Sequence, residues 1–144
     1  MKPEKRRERE SVGVVDAGVV LARLDRRRSS HSEAVRLFER ASRGRVSLHL
    51  SVVNLAEVLQ HARAYVRATG LDPLALLHAF KVAIHSPDAE VAQRAADLRT
   101  TTELSLADRF AAGTAAALGA RLHTTDTVLA DALRKQRRPV TVYR

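Results

Sequence analysis

Apolar and polar positions repeat along this chain with two periods, one typical of strands and one typical of helices. Short runs rich in β-branched residues predict strands, and longer segments with apolar residues three and four positions apart predict helices. Strands are predicted at residues 12–16, 45–50, 81–85, 121–124 and 140–143. Helices are predicted at residues 17–24, 33–41, 52–69, from 73 onward, 88–99, 105–118 and 127–135. This alternation predicts an α/β fold with a parallel sheet and helices on both of its faces.

Turn and cap residues mark where several of these elements begin and end. Ser51 and Ser105 are suitable N-caps, and Gly70 and Gly119 stand where helices are expected to end. Between residues 52 and 69 there is neither proline nor glycine. The pattern therefore predicts one unbroken helix there.

The length and composition indicate one domain preceded by a short charged segment. The chain has 144 residues, of which 45% are apolar, enough for a single compact core. Residues 1–11 are highly charged and have no apolar period, so we expect a flexible leader there and a domain over residues 12–144. No apolar run reaches the length of about 18 residues that would span a membrane, and no secretory signal is visible. We expect a cytoplasmic protein without membrane association.

The positive charge is concentrated near the carboxyl terminus. The chain carries 25 Lys and Arg against 16 Asp and Glu, a net charge of +9, while residues 134–144 contain five bases and no acid. A basic segment on a nearly neutral body suggests a polyanionic partner such as RNA, although it could also serve solubility alone. The candidate RNA-binding side chains are Arg109, Arg134, Lys135, Arg137 and Arg138.

Four acidic residues lie in apolar surroundings, where an unpaired carboxylate is costly. Asp16 and Asp126 follow predicted strands, Glu57 lies in the second turn of a helix, and Asp108 lies in the first turn of another. In a parallel sheet these positions share one edge, beyond the carboxyl ends of the strands, where open α/β sheets bind ligands. We expect the four acids to converge there if the strands that carry them are neighbours.

Converging carboxylates repel one another, so they require a cation. Oxygen ligands favour Mg²⁺ or Mn²⁺ over Zn²⁺, and such ions promote attack of water on a phosphodiester. Asn54, Thr124 and Thr125 are candidate supporting residues, each equally suited to a structural role. The chain has no cysteine and its six histidines show no close ligand spacing, which argues against zinc.

Three segments in order, VVDAGVVLARL, SVVNLAEVLQ and LSLADRFAAGTAAALGARLHTTD, resemble the PIN domain, and more narrowly the VapC-type toxins of bacterial toxin–antitoxin pairs. The resemblance runs from about Val12 to Arg144. It implies a five-stranded parallel sheet in the order 3-2-1-4-5 and a Mg²⁺- or Mn²⁺-dependent RNA endonuclease that acts on structured RNA, commonly tRNA or ribosomal RNA. It also implies a cognate antitoxin and a homodimer.

The acidic site of that family carries over to Asp16, Glu57, Asp108 and Asp126 as catalytic and metal-binding residues. Gly18 departs from the pattern, because a serine or threonine is frequent at this position, and the charged leader is longer than usual. Neither departure removes an acid. The alternative interpretation is a PIN-like domain that binds RNA or protein without catalysis.

Overall fold

The computed structural model describes residues 11–100 and 103–144, which form five strands and eight helices, with one to three helices between successive strands. The strands are β1 (Ser11–Val15), β2 (Val46–Ser51), β3 (Ala83–His85), β4 (Arg121–Thr124) and β5 (Val140–Val142). The helices are α1 (Ala17–Leu24), α2 (His31–Ser42), α3 (Val52–His61), α4 (Arg63–Thr69), α5 (Pro73–Ala79), α6 (Ala89–Ala96), α7 (Leu106–Leu118) and α8 (Thr127–Lys135).

All five strands form one parallel sheet in the order β3-β2-β1-β4-β5. This confirms the predicted fold class and strand order. The central strand β1 lies between β2 and β4, with Gly13 opposite Leu48 on one side and opposite Arg121 on the other. The carboxyl ends of β1, β2 and β4 consequently meet at one edge of the sheet.

The sheet is covered on both faces by apolar helix surfaces. Val15, Leu48 and Leu50 join a buried cluster with residues of α1, α2 and α3. Val14 and Leu122 face the other way and join a second cluster with residues of α7 and α8. Adjacent residues of one strand therefore pack into different cores, as expected for a sheet buried on both sides.

The small residues of α7 bring this helix close to its neighbour α6. A Cβ atom on Gly113 would lie 2.8 Å from the backbone oxygen of Val91 and 2.9 Å from the backbone nitrogen of Ala95. Only glycine allows this separation of the two backbones. The close approach sets the position of α7, the helix that carries Asp108.

The predicted elements are found with modest differences at their ends, and one prediction was wrong. The segment predicted as a single helix over residues 52–69 consists of α3 and α4, which are separated at Ala62. Ala62 is buried and its backbone angles, φ −87° and ψ 2°, depart from helical values. The helix is therefore interrupted at this buried residue, although alanine favours helices. The helix predicted to reach residue 99 ends at Ala96.

The predicted leader, residues 1–11, lies outside the described residues except for Ser11, which begins β1. Residues 101 and 102 also lie outside them. Among the residues that the structure describes, no helix is both long and apolar enough to cross a membrane.

Candidate active site

Asp16 lies at the centre of the carboxyl edge of the sheet, directly after β1. It is the N-cap of α1, and its side chain is only 4% exposed. Its Oδ1 accepts a hydrogen bond of 2.9 Å from the Val19 amide, and its Oδ2 accepts one from the Thr124 hydroxyl. The Thr125 amide contributes a further hydrogen bond. The carboxylate is thus held by donors from α1 and from the end of β4.

Burial nevertheless dominates the electrostatics of Asp16. Loss of water around the carboxyl raises its pKa from 3.8 to about 6, against the opposing effect of the hydrogen bonds from Thr124 and Val19. The negative charge of Asp108 raises it further. A carboxylate with three donors and a raised pKa lacks a compensating positive charge.

Asp108 and Asp126, together with Asp16, form an acidic group of interacting carboxylates. Burial is the main cause of the raised pKa of Asp108, and both the charge of Asp126 and a hydrogen bond between the two side chains raise it further. Asp126 is the N-cap of α8, with Oδ1 accepting hydrogen bonds from the amides of Val128 (2.9 Å) and Leu129 (3.1 Å). Asp108 therefore interacts electrostatically with both Asp16 and Asp126.

Thr124 joins the two strand-end acids through a single hydroxyl group. Its oxygen accepts a 2.9 Å hydrogen bond from the Asp126 amide, while its hydrogen is donated to Asp16. Thr124 is fully buried, so this hydroxyl has no competing water. The residue predicted as a supporting one thus fixes the relative position of Asp16 and Asp126.

Glu57 is the one predicted acid that has no contact with the others. It is half-buried on α3, and its side chain makes no hydrogen bond or ion pair with any other residue in the described ranges. Its helix is nonetheless attached to α7 next to Asp108. The Asn54 side-chain amide donates a 3.2 Å hydrogen bond to the backbone oxygen of Ala107.

Asn54 carries a polar atom that nothing in the described protein satisfies. The side chain is 1% exposed, and its Oδ1 is buried without a hydrogen-bond partner among the described residues. An unsatisfied buried acceptor costs about 1–3 kcal/mol, so such atoms often mark a site that a ligand or a water completes. This one lies on the helix pair that bears Glu57 and Asp108.

The acidic group has the chemistry of a site for a hard divalent cation. Within the described ranges, no lysine or arginine forms an ion pair with Asp16, Asp108 or Asp126. Their oxygen atoms are ligands that Mg²⁺ and Mn²⁺ accept. As the side chains stand, however, no three acidic or histidine residues of the described part are grouped closely enough to hold one ion. The donor set fits such a cation, whereas the present side-chain positions do not enclose one.

Two further features of this edge were only partly visible in the sequence. Ser105 was expected to cap α7, and its hydroxyl does accept a 3.1 Å hydrogen bond from the Asp108 amide. It also forms a hydrogen bond that lowers the pKa of the Asp108 side chain, an interaction that the Ser-x-x-Asp spacing suggests. At Gly18, a Cβ atom would lie 2.0 Å from the Thr125 hydroxyl oxygen. The Thr125 side chain therefore occupies the space that a side chain at position 18 would need.

The candidate RNA-binding residues differ in their surroundings. Arg109 donates hydrogen bonds to the backbone oxygens of Leu98 (2.9 Å) and Ala95 (3.4 Å), at the end of α6. Arg138 donates one of 2.7 Å to the backbone oxygen of Ala112 in α7. Both guanidinium groups thus hold elements of the fold together. The other three candidates are exposed, and they are Arg134, Lys135 and Arg137.

The sheet order, the acidic edge and the helices that carry it define a PIN domain. The PIN-domain family model matches residues 13–135, and the chain belongs to this family. No curated protein sequence matches the chain.

Several solved structures share the fold at low sequence identity. VapC20 of Mycobacterium tuberculosis, described as a toxin that cleaves the sarcin–ricin loop, is 18% identical with a TM-score of 0.63, covering 83% of this chain and 94% of its own. VapBC2 of Rickettsia felis, bound to a promoter DNA fragment, is 15% identical with a TM-score of 0.67, covering 92% and 99%. DNA-bound VapBC of Salmonella typhimurium is 18% identical with a TM-score of 0.60, covering 92% and 98%.

The burial of Asp16 predicts a specific effect of pH on the stability of the metal-free protein. Because the folded-state pKa is raised, wild type loses stability as the pH rises from about 4 to about 6 and stays at the lower level above that. Asp16→Asn removes this charge and is expected to stabilise the metal-free protein by about 1–3 kcal/mol at pH 7.5, with little difference at pH 4. Thermal unfolding at the two pH values measures the effect.

The matched control is Asp131→Asn on α8, where the carboxylate is 66% exposed and lies 3.6 Å from Arg134. We expect this variant to unfold close to wild type at both pH values. If Asp16→Asn were less stable than wild type at pH 7.5, the assignment of Asp16 as an uncompensated buried charge would be wrong.

Proposed function

We propose that this PIN domain is a metal-dependent RNA endonuclease that acts as the toxin of a toxin–antitoxin pair. The observation that carries the proposal is the acidic group at the carboxyl edge, where Asp16, Asp108 and Asp126 interact electrostatically without a basic partner among the described residues. The toxins that share the fold, one of them described as cutting the sarcin–ricin loop, support the same function here. We infer that the substrate is structured RNA, either tRNA or ribosomal RNA.

In this proposal Asp16, Asp108 and Asp126 hold Mg²⁺ or Mn²⁺, with Glu57 completing the acidic set from α3. A cation at such a site stabilises negative charge on the phosphate and lowers the pKa of a bound water. The residues of the chain do the positioning. The Thr124 hydroxyl fixes Asp16 relative to Asp126, and Asn54 fixes α3 against the first turn of α7.

The surface beside the acids suits a long polyanion. A groove of about 480 Å³ runs along α8, beginning near Val128, two residues after Asp126, and reaching Lys135. Arg99 also lines the groove and is exposed like Lys135, and the one acid in its lining, Asp131, lies 3.6 Å from the guanidinium group of Arg134. Arg134 and Arg137 are the chain neighbours of Lys135 and Gln136, which line the groove at the end of α8. We infer that an RNA strand follows this groove from the acidic edge toward the basic segment.

The rim of the acidic edge suits a protein inhibitor. Val52, Leu106 and Val128 are the first or second residues of α3, α7 and α8, and they are 42%, 68% and 43% exposed. Exposed apolar side chains around a group of carboxylates fit a partner that inserts an arginine among the acids and packs apolar residues on the rim. We infer that a small antitoxin binds there. A homodimer and a cytoplasmic location complete the proposal by analogy with the family.

The alternative is a PIN-like domain that binds RNA or protein without cutting it. The two interpretations differ in whether the acids and a divalent cation cleave the RNA or whether the domain only binds it. A cleavage assay in the presence and absence of divalent cations separates them.

We expect metal-free wild-type protein to cut tRNA or ribosomal RNA only after Mg²⁺ or Mn²⁺ is added, since the carboxylates require a cation. Asp16→Asn is expected to reduce cleavage to the level of RNA incubated alone, whereas Glu39→Gln, at an exposed acid on α2 away from the groove, keeps the wild-type rate. Denaturing gels of the products measure both effects. Wild-type rates in Asp16→Asn, or full cleavage by protein shown to be metal-free, would contradict the proposal. RNA binding without cleavage under all metal conditions would favour the non-catalytic alternative.

The groove along α8 predicts an ionic-strength effect. Replacing Lys135 and Arg137 with Gln is expected to weaken RNA binding for all sequences and to reduce the slope of log K against log salt by about 0.7–0.9 for each phosphate that is no longer neutralised. The double variant Arg26→Gln/Arg28→Gln removes the same charge from an exposed loop after α1, on the other face of the sheet. Filter binding at several salt concentrations compares the two. An equal slope in both double variants would assign the basic segment to solubility.

A further inference from the structure

A small basic pocket lies at the end of the sheet opposite to the acids. It has a volume of about 260 Å³, and its walls include Ser11, Arg40, Arg121, His123, Thr141 and Tyr143. Ser11 and Arg121 are the first residues of β1 and β4, whereas Asp16 and Asp126 follow the ends of these strands. The two arginines therefore lie away from the acids, although the backbone oxygen of His123 on the inner wall accepts a 3.1 Å hydrogen bond from the Asp16 amide.

Two guanidinium groups border the pocket, and no carboxylate pairs with either of them within the described ranges. Arg121 donates hydrogen bonds from Nη1 to the backbone oxygen of Val140 (3.0 Å) and to the Thr141 hydroxyl (3.4 Å), which leaves its other donors available. Arg40 makes no side-chain hydrogen bond to another described residue. Glu33 acts on the pKa of Tyr143 but forms no ion pair with either arginine.

The inner wall of the pocket is polar, buried and neutral. The Tyr143 hydroxyl and the His123 Nδ1 are 2.8 Å apart and both side chains are buried. The His123 ring packs over Gly13, where a Cβ atom would lie 2.8 Å from Nε2. Burial, followed by the charges of Arg121 and Arg40, lowers the pKa of His123 to about 4. Both arginine charges thus act on this wall, and the charge of Glu33 opposes them at Tyr143 without forming an ion pair with either arginine.

We propose that this pocket binds an oxyanion the size of a phosphate group, held by Arg40 and Arg121 together with the hydroxyl groups of the wall. Two guanidinium groups and several hydroxyl donors are the groups that recognise phosphate and carboxylate oxygens. The volume lies below the range typical of sites for drug-sized ligands, so the anionic group itself is the ligand. Its source is either a free phosphate or a carboxylate of this chain, since Glu8 and Glu10 precede Ser11 in the sequence.

The test is a titration of metal-free protein with sodium phosphate at fixed pH, compared with sodium chloride at equal ionic strength. NMR signals of the His123 and Tyr143 rings, assigned with Tyr143→Phe and His123→Gln, report on the pocket. Wild type is expected to give saturable shifts with phosphate only. Arg40→Gln, which breaks no hydrogen bond between described residues, is expected to weaken phosphate binding about tenfold or more. Arg36→Gln, an exposed arginine one turn earlier on α2 and outside the pocket, is expected to bind as wild type does.

The double variant Glu8→Gln/Glu10→Gln identifies the source of the oxyanion. Tighter phosphate binding in this variant would assign the pocket to a carboxylate of the chain, and unchanged binding would assign it to phosphate. Absence of a saturable shift in both wild type and this variant, or an equal affinity in Arg40→Gln and Arg36→Gln, would overturn the proposal. Because metal-free protein is used and RNA is absent, the outcome does not depend on whether the domain cuts RNA.

Discussion

The buried carboxylate of Asp16 is the constraint on which the candidate site depends. It lies at the end of the central strand with a side chain that is 4% exposed, and three donors are not enough to restore its ordinary pKa. A charge in this position destabilises the folded protein unless something positive approaches it. The surrounding structure supplies more negative charge instead, from Asp108 and Asp126. A divalent cation bound to these carboxylates would supply the positive charge that the metal-free protein lacks.

The remaining parts of the site bring these charges together. The order of the sheet places β4 beside β1, so that Thr124 reaches both Asp16 and the amide of Asp126. The close approach of α6 and α7 at Gly113, and the hydrogen bond from Asn54 to Ala107, set the first turn of α7 that carries Asp108. The core on each face of the sheet therefore stabilises an edge whose local electrostatics are unfavourable. Such a trade between stability and function is common at active sites.

The sequence predicted the fold well because its signals are local and repeated. The strand and helix periods, the caps at Ser51 and Ser105, and the glycines at 70 and 119 predicted the elements that the structure confirms, whereas the order of the strands was implied by the resemblance to the PIN domain. The bend at Ala62 was not predictable, since it arises from packing of a residue that favours helices. Asp16, Asp108 and Asp126 could be identified from polar residues in apolar surroundings. The coupling of Asp16 to Asp126 through Thr124 depends on residues distant in sequence, and so do the unsatisfied Oδ1 of Asn54 and the internal hydrogen bonds of Arg109 and Arg138. No local pattern shows these features.

In the function we propose, the acidic group binds a divalent cation. The number of protons released when the metal binds tests this most directly. Mg²⁺ or Mn²⁺ requires deprotonated carboxylates, and Asp16 has a pKa of about 6 in the metal-free protein. Calorimetric titration in two buffers of different ionisation enthalpy measures the protons released. We expect release of about half a proton or more per metal at pH 6 and almost none at pH 8, with metal binding abolished in Asp16→Asn. Metal binding without proton release at pH 6, or equal binding by Asp16→Asn, would contradict it.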